Sequence, residues 1–294
     1  MTKPELGFIG LGLMGQALTA HLTESGYAVT GYDIDPAKVE LAAGHGVTAA
    51  ASSAEVTEAS DIVLMCVIST DAVDAAVFGE GGVAAGGAAG KILVDHSTTI
   101  VSNTKEMAAK LKEATGMGWV DAPVSGGPPA ARAGTLAIMA GGDEADIETV
   151  SPVMSDISGG FTHFGPVGAG QVAKMVNQIL VLNNYAVLAE ALALAEAGGI
   201  DASKIPDALA SGHAGSNMLK NIFPRMIARD FEPQGYARQI LKDFDMLHDL
   251  AKNQKSPTPM SSQATSQFRI LCSKGHQELD GISVLKLFDQ NEHV

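Results

Sequence analysis

The stretch Gly10-Leu11-Gly12-Leu13-Met14-Gly15 decides the fold of this chain. It follows an apolar run, Leu6 to Ile9, and precedes a helical pattern from Gln16 to Glu24, which predicts a strand, a tight turn and a helix. The first glycine is suited to the turn, the second lets a pyrophosphate approach the backbone, and the third allows helix and strand to pack closely. The N-terminus of that helix offers free N–H groups and a positive dipole end to phosphates.

The end of the next predicted strand carries an acidic residue. Ala28 to Tyr32 has strand character and is followed by Asp33, whose carboxylate can accept hydrogen bonds from both hydroxyls of an adenosine ribose. A carboxylate there would repel a 2′-phosphate, which favours NAD over NADP. The alternative is an ordinary βαβ turn with a chance acidic residue. Asp35 precedes Pro36 as a helix N-cap, and this structural role removes it from the predicted cofactor site.

Composition excludes several classes of function. The formal net charge is −14 and there is no run of Lys or Arg, which argues against nucleic acid or an anionic membrane as a partner. The longest purely apolar runs are too short to span a bilayer. Two cysteines, Cys66 and Cys272, imply no disulfide framework and therefore a reducing compartment. With a strand predicted almost from Met1, we expect no targeting peptide and a cytoplasmic protein.

The chain length and pattern predict two domains. Residues 1–164 alternate strand and helix signals, as in a Rossmann-type dinucleotide-binding domain with a parallel sheet. Strands are predicted at 6–9, 28–32, 46–49, 62–68, 92–95, 119–124 and 136–140, and helices at 16–24, 35–43, 53–59, 104–114 and 143–154.

Residues 165–294 have no strand signal and predict an all-helical substrate and oligomerisation domain. Residues 165–198 form the long interdomain helix in this prediction, since neither proline nor glycine interrupts Gln171 to Ala197. Further helices are predicted at about 203–211, 216–228, 234–253, 258–274 and 281–289.

The start of the long helix carries the polar residues that suggest chemistry. Lys174, Asn177 and Gln178 stand at i, i+3 and i+4, so they share one face. A buried lysine there would need a partner or a task, and partial desolvation would lower its pKa, which suits proton exchange with a substrate oxygen. The alternative is a solvent-facing lysine near a helix end.

Other candidates come from loops. Ser125-Gly126-Gly127 follows a predicted strand, and a hydroxyl with two unhindered N–H groups can bind a carboxylate, although it can equally be a simple turn. His213 is a loop residue that could reach a substrate; His96 is better explained as a loop histidine near the cofactor than as a base, and Arg132 as a surface residue. No metal-ligand spacing occurs, so we expect no catalytic metal.

Five motifs in this chain identify a protein family far more specifically together than any one of them does alone. They are Gly7–Gly15, Asp95–Thr98, Asp121–Gly127, Gly168–Lys174 with Asn177, and Lys242-Asp243. In this combination the chain resembles the β-hydroxyacid dehydrogenase family along essentially its whole length. The resemblance implies a catalytic role for Lys174, a carboxylate-binding loop at Ser125–Gly127 and an oligomerising C-terminal domain. It also implies cofactor contacts from Thr98, Lys242 and the loop containing Val67 and Ile68.

The chain departs from the family pattern at two points. Two adjacent asparagines usually follow the lysine, but here they are Asn177 and Gln178, and the extra methylene changes the size or hydrogen-bond reach of the pocket. A family Leu-Pro is replaced by Val67-Ile68, which loosens a loop on the cofactor side. The Gly212–Ser216 loop, with His213, is most similar to that of tartronate semialdehyde reductases.

These inferences predict an NAD-dependent dehydrogenase that acts on a small 3-hydroxy acid as a dimer or tetramer. Lys174 would exchange the hydroxyl proton, Ser125 to Gly127 would hold the carboxylate, and Asn177 with Gln178 would orient lysine and substrate. A semialdehyde reductase working toward the alcohol, an imine reductase and a non-catalytic dinucleotide-binding scaffold remain alternatives. The lysine argues against the last two.

Overall fold

The computed structural model describes residues 3–289. The chain divides into two compact units, one ending at Lys174 and the other beginning at Met175. The division falls within the long helix, whereas the predicted domain boundary between residues 164 and 165 lies just before that helix and stays a prediction.

The first unit is built on a nine-stranded sheet. In chain order its strands are β1 Leu6–Ile9, β2 Val29–Tyr32, β3 Thr48–Ala49, β4 Ile62–Met65, β5 Ile92–Asp95, β6 Gly118–Asp121, β7 Val124–Ser125, β8 Leu136–Gly141 and β9 Ser158–Gly165. Strands β3-β2-β1-β4-β5-β6 are parallel neighbours in that order, β8 is antiparallel to β6 and β7, and β9 is parallel to β8. The strand order reverses between β1 and β4, so a ligand crevice is expected at their carboxyl ends.

Helices cover both faces of this sheet. They are α1 Leu13–Glu24, α2 Pro36–Ala43, α3 Ser53–Glu58, α4 Thr70–Phe78, α5 Val83–Gly86, α6 Val101–Thr115, α7 Gly127–Arg132 and α8 Glu144–Asp156. Successive strand residues point to opposite faces. Leu64 and Val94 therefore join one apolar core, while their neighbours Val63 and Leu93 join the other. Burial on both faces explains why the central strands are continuous apolar runs.

The second unit is helical. Helix α9, Ala169–Ala197, begins in the first unit and continues into the second, followed by α10 Ile205–Leu209, α11 Asn217–Asn221, α12 Phe223–Ile227, α13 Ala237–Asn253 and α14 Pro259–Ser273. Two 3₁₀ helices occupy Ala202–Lys204 and Gly281–Leu287. The aromatic rings of Phe244 and Phe268 lie 5.7 Å apart in its core. Between residues 166 and 289 there is no strand, only an isolated bridge of Tyr236 with Asp280.

Helix α9 is long and apolar enough to cross a membrane by length and composition, the one such helix between residues 3 and 289. Leu182, Ala189 and Leu192 on this helix are buried in the core of the second unit, as in a core helix of a folded domain. The criterion of length and composition is met equally by core helices and by membrane spans.

The structure corrects several predicted elements. The strand predicted to reach Ile68 ends at Met65, and the strand predicted at 119–124 is two short strands, β6 and β7. Helices α4 and α7 and strand β9 were not predicted. Strand β9 is glycine-rich and largely exposed, without an alternating apolar pattern. The predicted helices 203–211 and 216–228 are each interrupted, and Pro206 and Pro224 stand in the first turns of α10 and α12.

Candidate active site

The glycine-rich turn presents an uncapped helix N-terminus. Gly10 has φ +91°, and a Cβ at this position would overlap the carbonyl oxygen of Cys66 at the end of β4. Gly12 is the N-cap of α1, and no side chain hydrogen-bonds the first turn. A Cβ on Gly12 would meet nothing within 4 Å, so space is open beside these N–H groups. The turn therefore fits a pyrophosphate, the ligand that such a helix end favours.

Asp33 joins the end of β2 to this turn. Its Oδ2 accepts a hydrogen bond from the Leu11 N–H at 2.7 Å, and its Oδ1 accepts one from the Asp35 N–H at 2.9 Å. Lys38 Nζ lies 3.7 Å from Oδ1, and each carboxylate oxygen keeps a second acceptor site, so the group can still receive ribose hydroxyls. Asp33 also lines a cavity of about 450 Å³ at the ends of β2 and β3. The turn, Asp33 and this cavity fit the adenosine side of a nicotinamide dinucleotide.

Two loops at the carboxyl edge of the sheet carry three more of the predicted cofactor residues. Val67 and Ile68 lie in the loop between β4 and α4, where the Val67 N–H donates to Ser97 Oγ at 2.9 Å and Ile68 is exposed. Thr98 is half-buried in the loop after β5, between Ser97 and Thr99. The Val67–Ser97 hydrogen bond therefore joins the two loops, which follow neighbouring parallel strands at the edge where such sheets bind ligands.

Asp121, at the end of β6, caps helix α9 from a distance in sequence. Its Oδ1 accepts from the Gly168 N–H at 2.7 Å and its Oδ2 from the Gln171 N–H at 2.9 Å. Burial raises the pKa of Asp121 to about 6, although these backbone N–H groups oppose the shift. This carboxylate fixes the start of α9 on the sheet.

Lys174 follows one turn later and is 7% exposed. Its Nζ donates to the carbonyl oxygen of Val124 at 2.8 Å. Val124 belongs to β7 and immediately precedes Ser125. The alternative of a solvent-facing lysine is therefore wrong, and the amine lies beside the strand that leads into the predicted carboxylate loop.

That loop leaves β7 with two glycines in unusual conformations. Gly126 has φ +129° and Gly127 has φ +67°, and a Cβ on Gly126 would press against the Ala130 side chain. Gly127 begins the short helix α7, whose start has no side-chain cap. Ser125 is half-buried. Arg132, at the other end of α7, pairs with Glu24 at the surface, as expected for a surface residue.

In the second unit, four polar residues form a connected network. The Asn177 Nδ2 donates to Gln178 Oε1 at 3.0 Å, and the Gln178 Nε2 donates to Asp243 Oδ2. Lys242 Nζ lies 3.1 Å from Asp243 Oδ1. Gln178 is buried, so its longer side chain serves to connect Asn177 with Asp243, a contact that the sequence did not reveal. The network joins the predicted catalytic Asn177 with the predicted cofactor residue Lys242.

Asp95 and His96 are buried beside the Thr98 loop. Burial raises the pKa of Asp95 to about 7, and its Oδ1 accepts from the Ser97 N–H at 2.9 Å, which caps the turn after β5. His96 Nδ1 lies 2.7 Å from the carbonyl oxygen of Ala122, and burial lowers the pKa of His96 to about 4. The ring is therefore neutral at neutral pH and donates through Nδ1. Its fixed, buried position is that of a structural histidine.

The substrate contact of His213 and the expected absence of a catalytic metal remain predictions. His213 is exposed in the turn between α10 and α11. Across residues 3–289, no group of three or more His, Cys, Asp or Glu side chains could hold a metal ion.

Two residues of this site escaped the sequence analysis. Asp121 and Gln171 lie in two of the motifs that carry the family resemblance, but the sequence analysis gave neither residue a role of its own. Asp121 contacts Gln171, which is 50 positions away, and Gln171 also contacts Thr99, which is 72 positions away. Their polarity at the edge of a buried element and their place in these motifs were the local signals.

Comparison with known protein families covers both halves of the chain. The family described as "NAD binding domain of 6-phosphogluconate dehydrogenase" matches residues 5–165. The family described as "NAD-binding of NADP-dependent 3-hydroxyisobutyrate dehydrogenase" matches residues 168–288.

Full-length relatives are similar to the chain from end to end. It is 35% identical to 2-hydroxy-3-oxopropionate reductase of Escherichia coli over 97% of both chains, and 32% identical to NAD-dependent L-serine dehydrogenase of Pseudomonas aeruginosa over 98% of this chain and 99% of that protein. The solved 3-hydroxyisobutyrate dehydrogenase of Mycobacterium tuberculosis with L-serine superposes with a TM-score of 0.85 at 29% identity, covering 98% of this chain and 100% of that one. The chain thus belongs to the β-hydroxyacid dehydrogenase family, and it is an oxidoreductase that uses a nicotinamide dinucleotide.

Proposed function

We propose that this protein is an NAD-dependent dehydrogenase of a small 3-hydroxy acid in which Lys174 is the general acid and base. The observation that carries the proposal is the buried Lys174 amine, bonded to the Val124 carbonyl directly before Ser125. If the Ser125–Gly127 loop binds the substrate carboxylate, the buried lysine beside it would meet the substrate hydroxyl, which supports the proposal.

In this proposal, proton transfer, carboxylate binding and orientation of the substrate are carried out by different residues. In alcohol oxidation Lys174, in its neutral form, accepts the hydroxyl proton, and in reduction it returns that proton. The Ser125 hydroxyl and the N–H groups of Gly126 and Gly127 hold the carboxylate. Asn177, fixed by Gln178, orients the substrate oxygen. Gln178 contributes to the substrate site through Asn177, because its own amide is engaged within the protein.

The bound dinucleotide supplies hydride chemistry, and the protein supplies its position. The turn Gly10–Gly15 would hold the pyrophosphate and Asp33 the adenosine ribose; Val67, Ile68, Thr98 and Lys242 would hold the remainder. NAD is favoured over NADP because the Asp33 carboxylate, fixed by the Leu11 and Asp35 N–H groups, would face a 2′-phosphate.

A semialdehyde reductase working mainly toward the alcohol is the second candidate. The name of the Escherichia coli relative, 2-hydroxy-3-oxopropionate reductase, supports it. The Lys174 position argues against imine reduction, and its burial against a non-catalytic scaffold, where a buried amine would have no task.

A panel of substrates tests the proposal. NADH formation is measured with 3-hydroxyisobutyrate, L-serine and related 3-hydroxy acids, and NADH consumption with the matching semialdehydes. The wild-type protein is expected to turn over at least one pair in both directions, and Lys174→Ala is expected to lose most of its kcat on that pair. Activity on imines but on neither acids nor semialdehydes would contradict the proposal.

The protein is further proposed to be a cytoplasmic homo-oligomer, with neither nucleic acid nor membrane as a partner. An exposed apolar stripe on α9 supports the oligomer, because Leu180, Val187 and Leu194 are seven residues apart and share one face. Leu194 is 75% exposed. A row of exposed apolar side chains is unusual on the surface of a monomer and is typical of an interface between proteins. A dimer and a tetramer fit this surface equally.

A further inference from the structure

We propose that Gln171 is a positioning residue, whose side-chain amide fastens the Ser97–Thr99 segment to the first turn of α9. In this role it fixes Thr98, the proposed cofactor contact, relative to Lys174. The inference rests on the proposed function, in which Thr98 and Lys174 serve the two halves of one reaction.

The Gln171 amide makes two hydrogen bonds that flank Thr98. Its Nε2 donates to the carbonyl oxygen of Ser97 at 2.8 Å, and its Oε1 accepts from the Thr99 N–H at 3.1 Å. The side chain is fully buried, at 0% exposure. One donor and one acceptor thus match one backbone carbonyl and one N–H, as in a strand pair, and no water competes for them.

The backbone of Gln171 is fixed independently. Its N–H donates to Asp121 Oδ2, and the other oxygen of the same carboxylate accepts from Gly168. Lys174 lies three residues further along the helix, on the same side as Gln171. A displacement of the side-chain amide would therefore move the Thr98 segment while the helix start stays on the sheet.

The segment is also held from its opposite side. Ser97 accepts from the Val67 N–H through its Oγ, and the Ser97 N–H donates to Asp95. Thr99 Oγ1 lies 2.7 Å from Thr104 Oγ1 at the start of α6. These contacts fix the segment to the sheet and to α6, and Gln171 adds the tie to the helix that bears Lys174.

The test uses Gln171→Glu, which keeps the shape of the side chain but removes the donor once the acid ionises. Burial raises the pKa of a glutamic acid, so the protonated form persists toward neutral pH. When protonated, the acid can donate to Ser97 and restore both bonds; when ionised, it faces a carbonyl oxygen without a proton. In this variant the hydrogen bonds that link α9 to Ser97 and Thr99 should therefore be present at low pH and be lost at high pH.

Two measurements follow this change. The first is the ratio of kcat of Gln171→Glu to that of the wild type at each pH, which cancels titrations common to both proteins. We expect the ratio to fall roughly 10- to 100-fold between about pH 5.5 and about pH 8.5, the usual effect of a misplaced catalytic group. The second is hydrogen exchange of the Thr99 amide in the protein without cofactor, which should accelerate with pH more than in the wild type.

Thr57→Val is the matched control. Thr57 is buried in α3 and its Oγ1 donates to the Ser53 carbonyl oxygen, so the variant also loses a buried hydrogen bond in the same unit. It should lose stability without changing kcat or the exchange of the Thr99 amide. A pH-independent ratio for Gln171→Glu, or Thr99 exchange equal to that of the wild type, would overturn the positioning role.

Lys174→Ala, assayed in parallel, separates this inference from the proposed function. If Lys174→Ala keeps its kcat, the proton-transfer role is wrong, whatever Gln171 does. If Lys174→Ala is inactive but Gln171→Glu behaves as the wild type across pH, the positioning role alone is wrong.

Discussion

Replacement of Lys174 by alanine separates catalysis from binding. The amine is buried and bonded to the Val124 carbonyl, and it is the ionisable group on the α9 face that also carries Asn177. Removing a general acid or base typically lowers kcat by ~10²–10⁴. The same change leaves the Val124 oxygen without this donor, which costs about 1–3 kcal/mol of stability. The folded population stays high, so the expected loss of kcat greatly exceeds any effect of unfolding.

Cofactor affinity should change little in this variant. Asp33, the proposed ribose contact, is held by the Leu11 and Asp35 N–H groups and not by Lys174, and the glycine-rich turn lies far from Lys174 in sequence. NADH fluorescence titration measures the affinity, and steady-state NADH formation measures kcat. Lys174→Arg should fail as well, because a guanidinium does not readily give up its proton. In the wild type, alcohol oxidation should accelerate as pH rises, since the proposed mechanism requires the neutral amine.

A Lys174→Ala variant with most of its kcat would remove the lysine from the mechanism. A proton acceptor would then have to be sought among the histidines. His213 would come first, because His96 is buried with its Nδ1 bonded to Ala122. Loss of NADH binding together with kcat would instead mean that Lys174 supports the cofactor site.

Three further outcomes are expected. Asp33→Asn should narrow the preference for NAD over NADP in kcat/KM, whereas equal efficiency in the wild type would refute the role of Asp33. Burial raises the pKa of Asp95 to about 7, so folding is favoured while this carboxyl is protonated, and stability declines as pH rises from the unfolded value toward 7. In Asp95→Asn the free energy of unfolding, measured in urea at a series of pH values, should fall less over this range, by up to a few kcal/mol. An unchanged pH dependence would contradict the raised pKa of Asp95. Light scattering should give an oligomer for the wild type and a smaller species for Leu180→Glu; a monomeric wild type would refute the apolar interface.

Local sequence patterns were enough to predict much of the secondary structure of the N-terminal unit. The glycine-rich turn, the apolar strands and the N-cap at Asp35 lie where they were predicted, because each depends on residues a few positions apart. The family resemblance, confirmed over the whole chain, also needed only motifs that are contiguous in sequence.

Other elements could not be read from local pattern. Strand β9 is glycine-rich and exposed, and it exists because β8 offers a pairing edge. The predicted strand through Ile68 ends at Met65, since the chain beyond it turns to bond with Ser97. Two long helical predictions in the second unit break near prolines whose effect depends on the packing around them.

The sequence by itself determined the fold class, the dinucleotide turn and the identity of Lys174 as a candidate, because backbone propensity and motif spacing are local properties. Only the tertiary structure decided that Lys174 is buried against Val124, that Asp121 caps α9, and that Gln178 bonds to Asp243. Each of these contacts joins residues far apart in the chain. Burial and hydrogen-bond partners arise from that packing, and no local pattern encodes which distant group will fill a given position.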